Sequence, residues 1–319
     1  MRNILVGREL TILNYNQQKM FNRVKRHWQL YLLLLLPLVW LIIFQYVPMY
    51  GAQIAFKKYI VTKGITASPW IGLANFERFL SSAKFELVMM NTIVLSFYQL
   101  IGSFPFPIIL ALGLNQVRQK AFKKTVQLVT YAPHFISMVV LVGIMIQVFH
   151  PRVGLTAFIA GILEVDAPNW MGNRSAFPHV YVGSGLWQNV GFRAIIYLAV
   201  LATIDPTLHE AAIVDGANKI QRMWYIDLPG LLPTAVVLLV LQTGRVLNIS
   251  FEKIYLMQNP INIRVSEVIS TYVYKVGLLS PVLDFSYATA IGLLQGVVSL
   301  LLIISVNRLA RRLSGHGIW

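Results

Sequence analysis

The chain has 319 residues, of which 56% are hydrophobic and only 12% charged, and its mean hydropathy is +0.63. Soluble domains carry about 25% charged residues, so this composition excludes one and describes an integral membrane protein. Cysteine is absent, which removes disulfides, thiol nucleophiles and cysteine-ligated metal centres, and in a membrane chain a net charge of +15 is read first against the spans rather than as a sign of nucleic acid.

Crossing a hydrocarbon core of about 30 Å takes about 20 helical residues. Segments 30–50, 88–115, 125–149, 181–203, 231–251 and 285–307 satisfy this. They predict an all-α membrane protein with six transmembrane helices over 30–307, between a basic N-terminal segment, 1–29, and a basic tail, 308–319. The first span follows Arg2, Arg8, Lys19, Arg23, Lys25 and Arg26, and Tyr46-Val-Pro-Met-Tyr-Gly51 is a poor cleavage site, so a retained span is expected rather than a signal peptide. Gly102-Ser-Phe-Pro-Phe-Pro107 and Tyr131-Ala-Pro-His134 remove backbone hydrogen bonds and predict kinks. Segments 1–29, 116–124, 204–230 and 308–319 hold 15 Lys/Arg against 10 in 51–87, 150–180 and 252–284. That bias predicts both termini on the cytoplasmic side of a multi-pass protein.

Between the fourth and fifth spans lies a polar stretch, His209-Glu-Ala-Ala-Ile-Val-Asp-Gly-Ala-Asn-Lys-Ile-Gln-Arg-Met-Trp-Tyr-Ile-Asp-Leu-Pro-Gly230. Pro206 suits the first position of a helix that continues through Glu210, Ala211 and Ala212, with acids expected near its N-terminal end. Gly216, after Asp215, predicts a turn. Ala217 to Tyr225 then predicts a second short helix with Ile220, Met223 and Trp224 on one face, ended near Leu228 and Pro229. The expected product is a helix–turn–helix knob in the cytoplasm with an apolar stripe suited to a groove on a partner.

The array Glu-Ala-Ala, then Gly216, then Ile226-Asp-Leu-Pro229 resembles the EAA loop of permease subunits of ATP-binding-cassette importers. Trp70-Ile-Gly-Leu-Ala-Asn-Phe76, Tyr131-Ala-Pro-His-Phe-Ile-Ser137, Tyr255-Leu-Met-Gln-Asn-Pro260 and Ser266 to Gly277 extend the likeness along the chain, toward the branch that imports complex or uronic-acid-containing oligosaccharides, with a chain similar to an alginate importer permease. The resemblance implies the type I importer permease fold in a bacterial cytoplasmic membrane. It also implies a second permease, two cytoplasmic ATPases that bind ATP and Mg, and an external solute-binding protein delivering sugar, with alternating access as the mechanism. The knob, through Glu210, Ala211, Ala212, Asp215, Gly216, Ala217, Ile220, Met223, Trp224, Leu228 and Pro229, would then dock on an ATPase.

The remaining residues fit a non-catalytic subunit. No G-x-x-x-x-G-K-[ST] loop, G-x-S-x-G elbow or H-E-x-x-H helix occurs, and the six histidines lack metal-ligand spacing, so no metal or cofactor is expected in this chain. A channel or secondary transporter without an ATPase partner is the alternative, and it leaves the Glu210 to Pro229 array without a purpose. The resemblance implies a substrate path lined by the spans around the EAA loop, whose polar residues are Gln188, Asn189, Arg193, Gln242, Arg245 and Asn248. Gln188 and Asn189 are adjacent and compete for one face. Interhelical hydrogen bonding is the alternative role for each amide, and packing is the alternative for His134. Arg193 and Arg245 each cost about 2.5–3.5 kcal/mol to insert. Neither has an acid within the six spans, so sister-subunit groups or carbonyls of this chain compete with substrate carboxylates as their partners. Counting from the span ends places both in the middle third of the membrane, roughly 6 Å apart in depth.

Overall fold

The computed structural model describes residues 25–244, 246–247, 249–315 and 317; most of the basic segment 1–29, together with Arg245 and Asn248, lies outside them. Four helices are long and apolar enough to cross a membrane, and six if each of two bent pairs counts as one span.

The chain divides into two compact units. In the first, helix α1, Trp28–Phe56, is apolar on every face, the pattern of a membrane span. Its segment 60–68 is closed locally: Ser68 Oγ accepts from Ile60 N at 3.0 Å and donates to Gly64 O at 2.6 Å.

The second unit contains α2 (Ala83–Gln116), α3 (Lys120–Phe135), α4 (Met138–Val148), α5 (Ala176–Leu201), α6 (Pro206–Val214), α7 (Lys219–Gly244), α8 (Phe251–Met257) and α9 (Phe285–Ser314). Helix α5 is central, packing on α2, α3 and α7. One buried cluster joins Leu95, Leu141, Phe177, Tyr181, Ile254 and Met257. A second, further along α5, joins Ala111, Tyr197, Leu201, Leu231 and Ala235. Between apolar helices in lipid, small residues permit the close approach that packing requires, and Gly191 is the sharpest case. A methyl group there would run into the backbone carbonyl of Thr130 on α3.

The predicted third span is not one helix. α3 and α4 meet at 103°, because Pro133 lacks an N–H and Ile136 turns extended (ψ 129°) before Ser137 starts α4. Ahead of Pro105 the span α2 is interrupted at Phe104, between helical stretches Ala83–Ser103 and Pro105–Gln116, as the proline run there predicts, while the span continues. The π-turns Ile42–Tyr46 and Met223–Asp227 each end two residues before a proline, Pro48 and Pro229. In an ordinary turn the proline ring would strike the carbonyl four residues back; the wider turn moves that carbonyl aside, and Leu228 N–H bonds Met223 O, five back. Pro229 therefore does not end a short helix as the sequence suggests. Residues 219–244 form one 26-residue helix, in place of the expected second short helix at 217–225. Helix α9 likewise runs past residue 307 to Ser314, so the start of the basic tail is helical.

Glu267, 7% exposed at its side chain, pairs with Lys84 Nζ at 2.6 Å and Lys275 Nζ at 3.0 Å, tying the start of α2 to the 263–279 region. Burial pushes its carboxyl up, but the hydrogen bonds and charges of the two lysines outweigh burial and hold it below its usual range.

Two expectations follow. Gly191→Ala should overpack the α3–α5 contact and destabilise by about 1–3 kcal/mol, seen as a lower melting temperature of the purified protein; an unchanged melt would discard the close-packing argument. Because the folded pKa of Glu267 is depressed, its contribution is present above the unfolded value of about 4.3 and lost as pH falls through the folded one. Wild type should therefore melt above Glu267→Gln at neutral pH, and the gap should close under acid conditions; a gap constant with pH would contradict this.

Candidate functional site: a polar cavity and a polar connector

A cavity of about 350 Å³ runs beside α5, walled also by α2, α7 and the 246–253 segment. Of the residues expected there, Gln188, Asn189, Arg193 and Gln242 come together on it, while Arg245 and Asn248 lie outside the described residues. Their polar groups are not equally available. Gln188, 6% exposed, donates from Nε2 to Ile136 O at 3.0 Å, satisfying a carbonyl stranded by the α3–α4 break. Asn189 Oδ1 meets His134 Nδ1 at 3.0 Å, and its Nδ2 donates to Gly185 O at 3.0 Å. The His134 ring stacks on Phe192, centroids 3.8 Å apart. Both amides and His134 thus have partners within the bundle, as a buried polar group without one is costly.

Arg193 differs. It is half-buried on the cavity wall and forms no ion pair among the described residues. Helix α5 runs from Ala176 to Leu201, so Arg193 lies about 26 Å from its first residue and about 12 Å from its last.

Among the cavity residues that sequence reasoning missed, Lys253, Ser96 and Gln99 carry polar side chains. Lys253, 3% exposed, donates from Nζ to Tyr181 O at 2.8 Å and sits over the Tyr181 ring at 4.7 Å. Counting spans placed it in an external loop, and its only local signal is a lysine among Phe251, Ile254 and Met257. Ser96 and Gln99 of α2 also line the cavity; as polar residues inside an apolar span they were visible, but their facing was not.

In the connector, Asp205 caps α6. Its Oδ1 accepts from Thr207 N at 2.9 Å, and Pro206 takes the first helical position. That backbone hydrogen bond, with one from the Thr207 side chain, holds the Asp205 carboxyl below its usual range. Glu210 is exposed in the second turn, beyond the reach of the helix-end dipole expected to favour it. The helix closes with Gly216 at φ +82°. Gly216 N donates to Ile213 O at 3.0 Å and Ala217 N to Ala212 O at 2.8 Å, the paired bonds of a Schellman cap. Asn218 Oδ1 then accepts from Gln221 N while Gln221 Oε1 accepts from Asn218 N, 2.9 and 2.8 Å, and α7 begins. Ile220 and Trp224 are 63% and 59% exposed. Met223 and Leu228 instead pack inward against the Leu231 cluster, so Met223 leaves the stripe to which the sequence assigned it.

Asp227 is fully buried at the foot of α7. One carboxylate oxygen lies 3.2 Å from His209 Nε2 of α6, and the other accepts from Gln116 Nε2 of α2 at 3.0 Å. Connector, second span and fifth span are thereby joined at one carboxylate.

Protein LplB of Bacillus subtilis (strain 168) is 38% identical over 93% of this chain and 92% of its own. The polygalacturonan/rhamnogalacturonan transport system permease protein YteP of the same organism is 40% identical over 91% and 90%. A crystal structure of a bacterial ABC transporter involved in import of the acidic polysaccharide alginate contains a chain 36% identical, with a TM-score of 0.85 over 93% of this chain and 99% of that one. A match to the family described as binding-protein-dependent transport system inner membrane component spans residues 103–315, which include both the cavity wall of α5 and the connector. The chain belongs to that family, as a permease of an ABC sugar importer.

Proposed function

We propose that this permease, paired with a second permease and two ATPases that bind ATP and Mg, carries an acidic oligosaccharide delivered by a solute-binding protein across the cytoplasmic membrane, with both termini on the ATPase side. The observation that carries the reading is Arg193, a guanidinium on a polar cavity in an apolar bundle, with no carboxylate partner among the described residues. Insertion of such a charge costs about 2.5–3.5 kcal/mol, and a uronate carboxylate suits its planar fork. The likeness to YteP and to the alginate importer chain supports an acidic substrate, and the alginate system has also been crystallised with a pentasaccharide-bound periplasmic protein.

Helix α6 is the surface proposed to meet an ATPase. It offers Leu208, Ile213 and Val214 as exposed apolar side chains around exposed Glu210 and Ala211, and its end is set by the Asp215-Gly216-Ala217 turn. Purification of the assembled complex tests the whole reading. ATPase chains should accompany the permease, and hydrolysis should rise when substrate-loaded binding protein is added.

Gly216→Pro should uncouple the two. Proline fixes φ near −65° and removes the N–H, whereas Gly216 is at +82° and donates to Ile213 O. The subunit should still insert, while transport and stimulated hydrolysis in proteoliposomes fall at least about tenfold; unchanged rates would rule out the connector as the coupling surface. Arg193→Gln should reduce uptake of a uronic-acid oligosaccharide more than that of its methyl ester. An equal reduction would identify Arg193 as a packing group.

A further inference from the structure

At the Tyr181 end of the cavity three polar groups converge. The Lys253 ammonium is held at Tyr181 O, 2.8 Å away, yet it forms no ion pair among the described residues. A Cβ added to Gly185 would lie 3.2 Å from Lys253 Nζ and 3.1 Å from Gln99 Oε1, so this glycine is the opening through which both side chains reach α5. Ser96, 2% exposed and on the same wall, has a buried hydroxyl with no hydrogen-bond partner among the described residues. A buried hydroxyl left without a partner forfeits its hydration for nothing in return, and a buried ammonium bonded to one carbonyl has two further donors to place, with no partner for them among the described residues. An anionic, hydroxyl-bearing ligand fills both deficits at once.

We propose that Lys253, Ser96 and Gln99 form a second acidic-sugar subsite, in which Lys253 binds a uronate carboxylate and the Ser96 hydroxyl and Gln99 amide engage ring hydroxyls. This rests on the cavity being the substrate path. The Lys253 ammonium lies beside Gly185, eight residues before Arg193 on one helix, about 12 Å along its axis. The two cations therefore line one stretch of the cavity, and together they favour a chain that carries more than one carboxylate.

The test uses the assembled complex in proteoliposomes with its binding protein, and two probes: pentagalacturonate and the same oligomer partly methyl-esterified. Uptake by each variant is taken as a ratio to wild type for the same probe, which cancels delivery by the binding protein. Lys253→Met should lower the ratio at least tenfold for pentagalacturonate and clearly less for the ester, and Lys253→Arg should restore most of it. Ser96→Ala and Gly185→Ala leave the charge in place; they should lower uptake of both probes severalfold, and they supply the reading if Lys253→Met fails to assemble. An equal fall for both probes in Lys253→Met, with no recovery in Lys253→Arg, would overturn the subsite and make Lys253 a strut for the Tyr181 carbonyl. So would full uptake by Ser96→Ala and Gly185→Ala. The cavity reading has its own control. Gly185→Trp fills the opening, and if uptake of both probes survives it, the path lies elsewhere and the failure belongs to that reading rather than to the subsite.

Discussion

In a bundle surrounded by lipid, every polar group taken inside must be answered from within the protein or by what passes through it, because the hydrocarbon offers no hydrogen bonds. That constraint sorts the residues of the cavity. Gln188 answers the Ile136 carbonyl, Asn189 answers His134 and the Gly185 carbonyl, and Asp227 is answered by His209 and Gln116. Among the described residues Arg193 has no counter-charge, and neither does Lys253. Polar residues of similar sequence character thus fall into those that complete the scaffold and those that face an empty space with a charge.

The same constraint explains why the break between α3 and α4 is tolerated. A helix interrupted in lipid leaves carbonyls without donors, and here the donor is an amide 52 residues further on. The break and Gln188 are one structural feature, and the close seat of α5 against Thr130 at Gly191 holds the two elements in reach of each other. A cavity wall built this way is set by backbone geometry on one side and by fixed amides on the other, leaving its charged side chains as the adjustable parts.

Much of this was legible in the chain. Long apolar runs marked the helices, Pro206 marked the start of α6, and Gly216 marked a turn whose positive φ only glycine takes easily. The departures have specific causes. Pro229 reads as a helix stop because a normal turn cannot hold it, and nothing local announces the π-turn that can. Met223 reads as part of a surface stripe when α7 is taken as a short free helix; once the helix continues into the bundle, it faces the Leu231 cluster together with Leu228. Partners distant in sequence, such as Gln188 with Ile136 or Lys253 with Tyr181, leave no periodic trace. Lys253 was further hidden because a hydropathy count assigns a lysine beyond a span end to water.

The continuity of α7 has a mechanical consequence. From Lys219, beside the Asp215-Gly216 turn, to Gln242 on the cavity wall, the chain makes 23 steps of a single helix, about 35 Å. With no loop in between to take up slack, a tilt imposed at one end is a tilt at the other, and the motion is reversible in the same degree. In the proposed importer, a cargo that wedges the cavity open would resist movement of the connector, and a held connector would fix the shape of the cavity. Such a rod transmits in both directions, so under that proposal the connector end would register whether the cavity is occupied without any contact between the two.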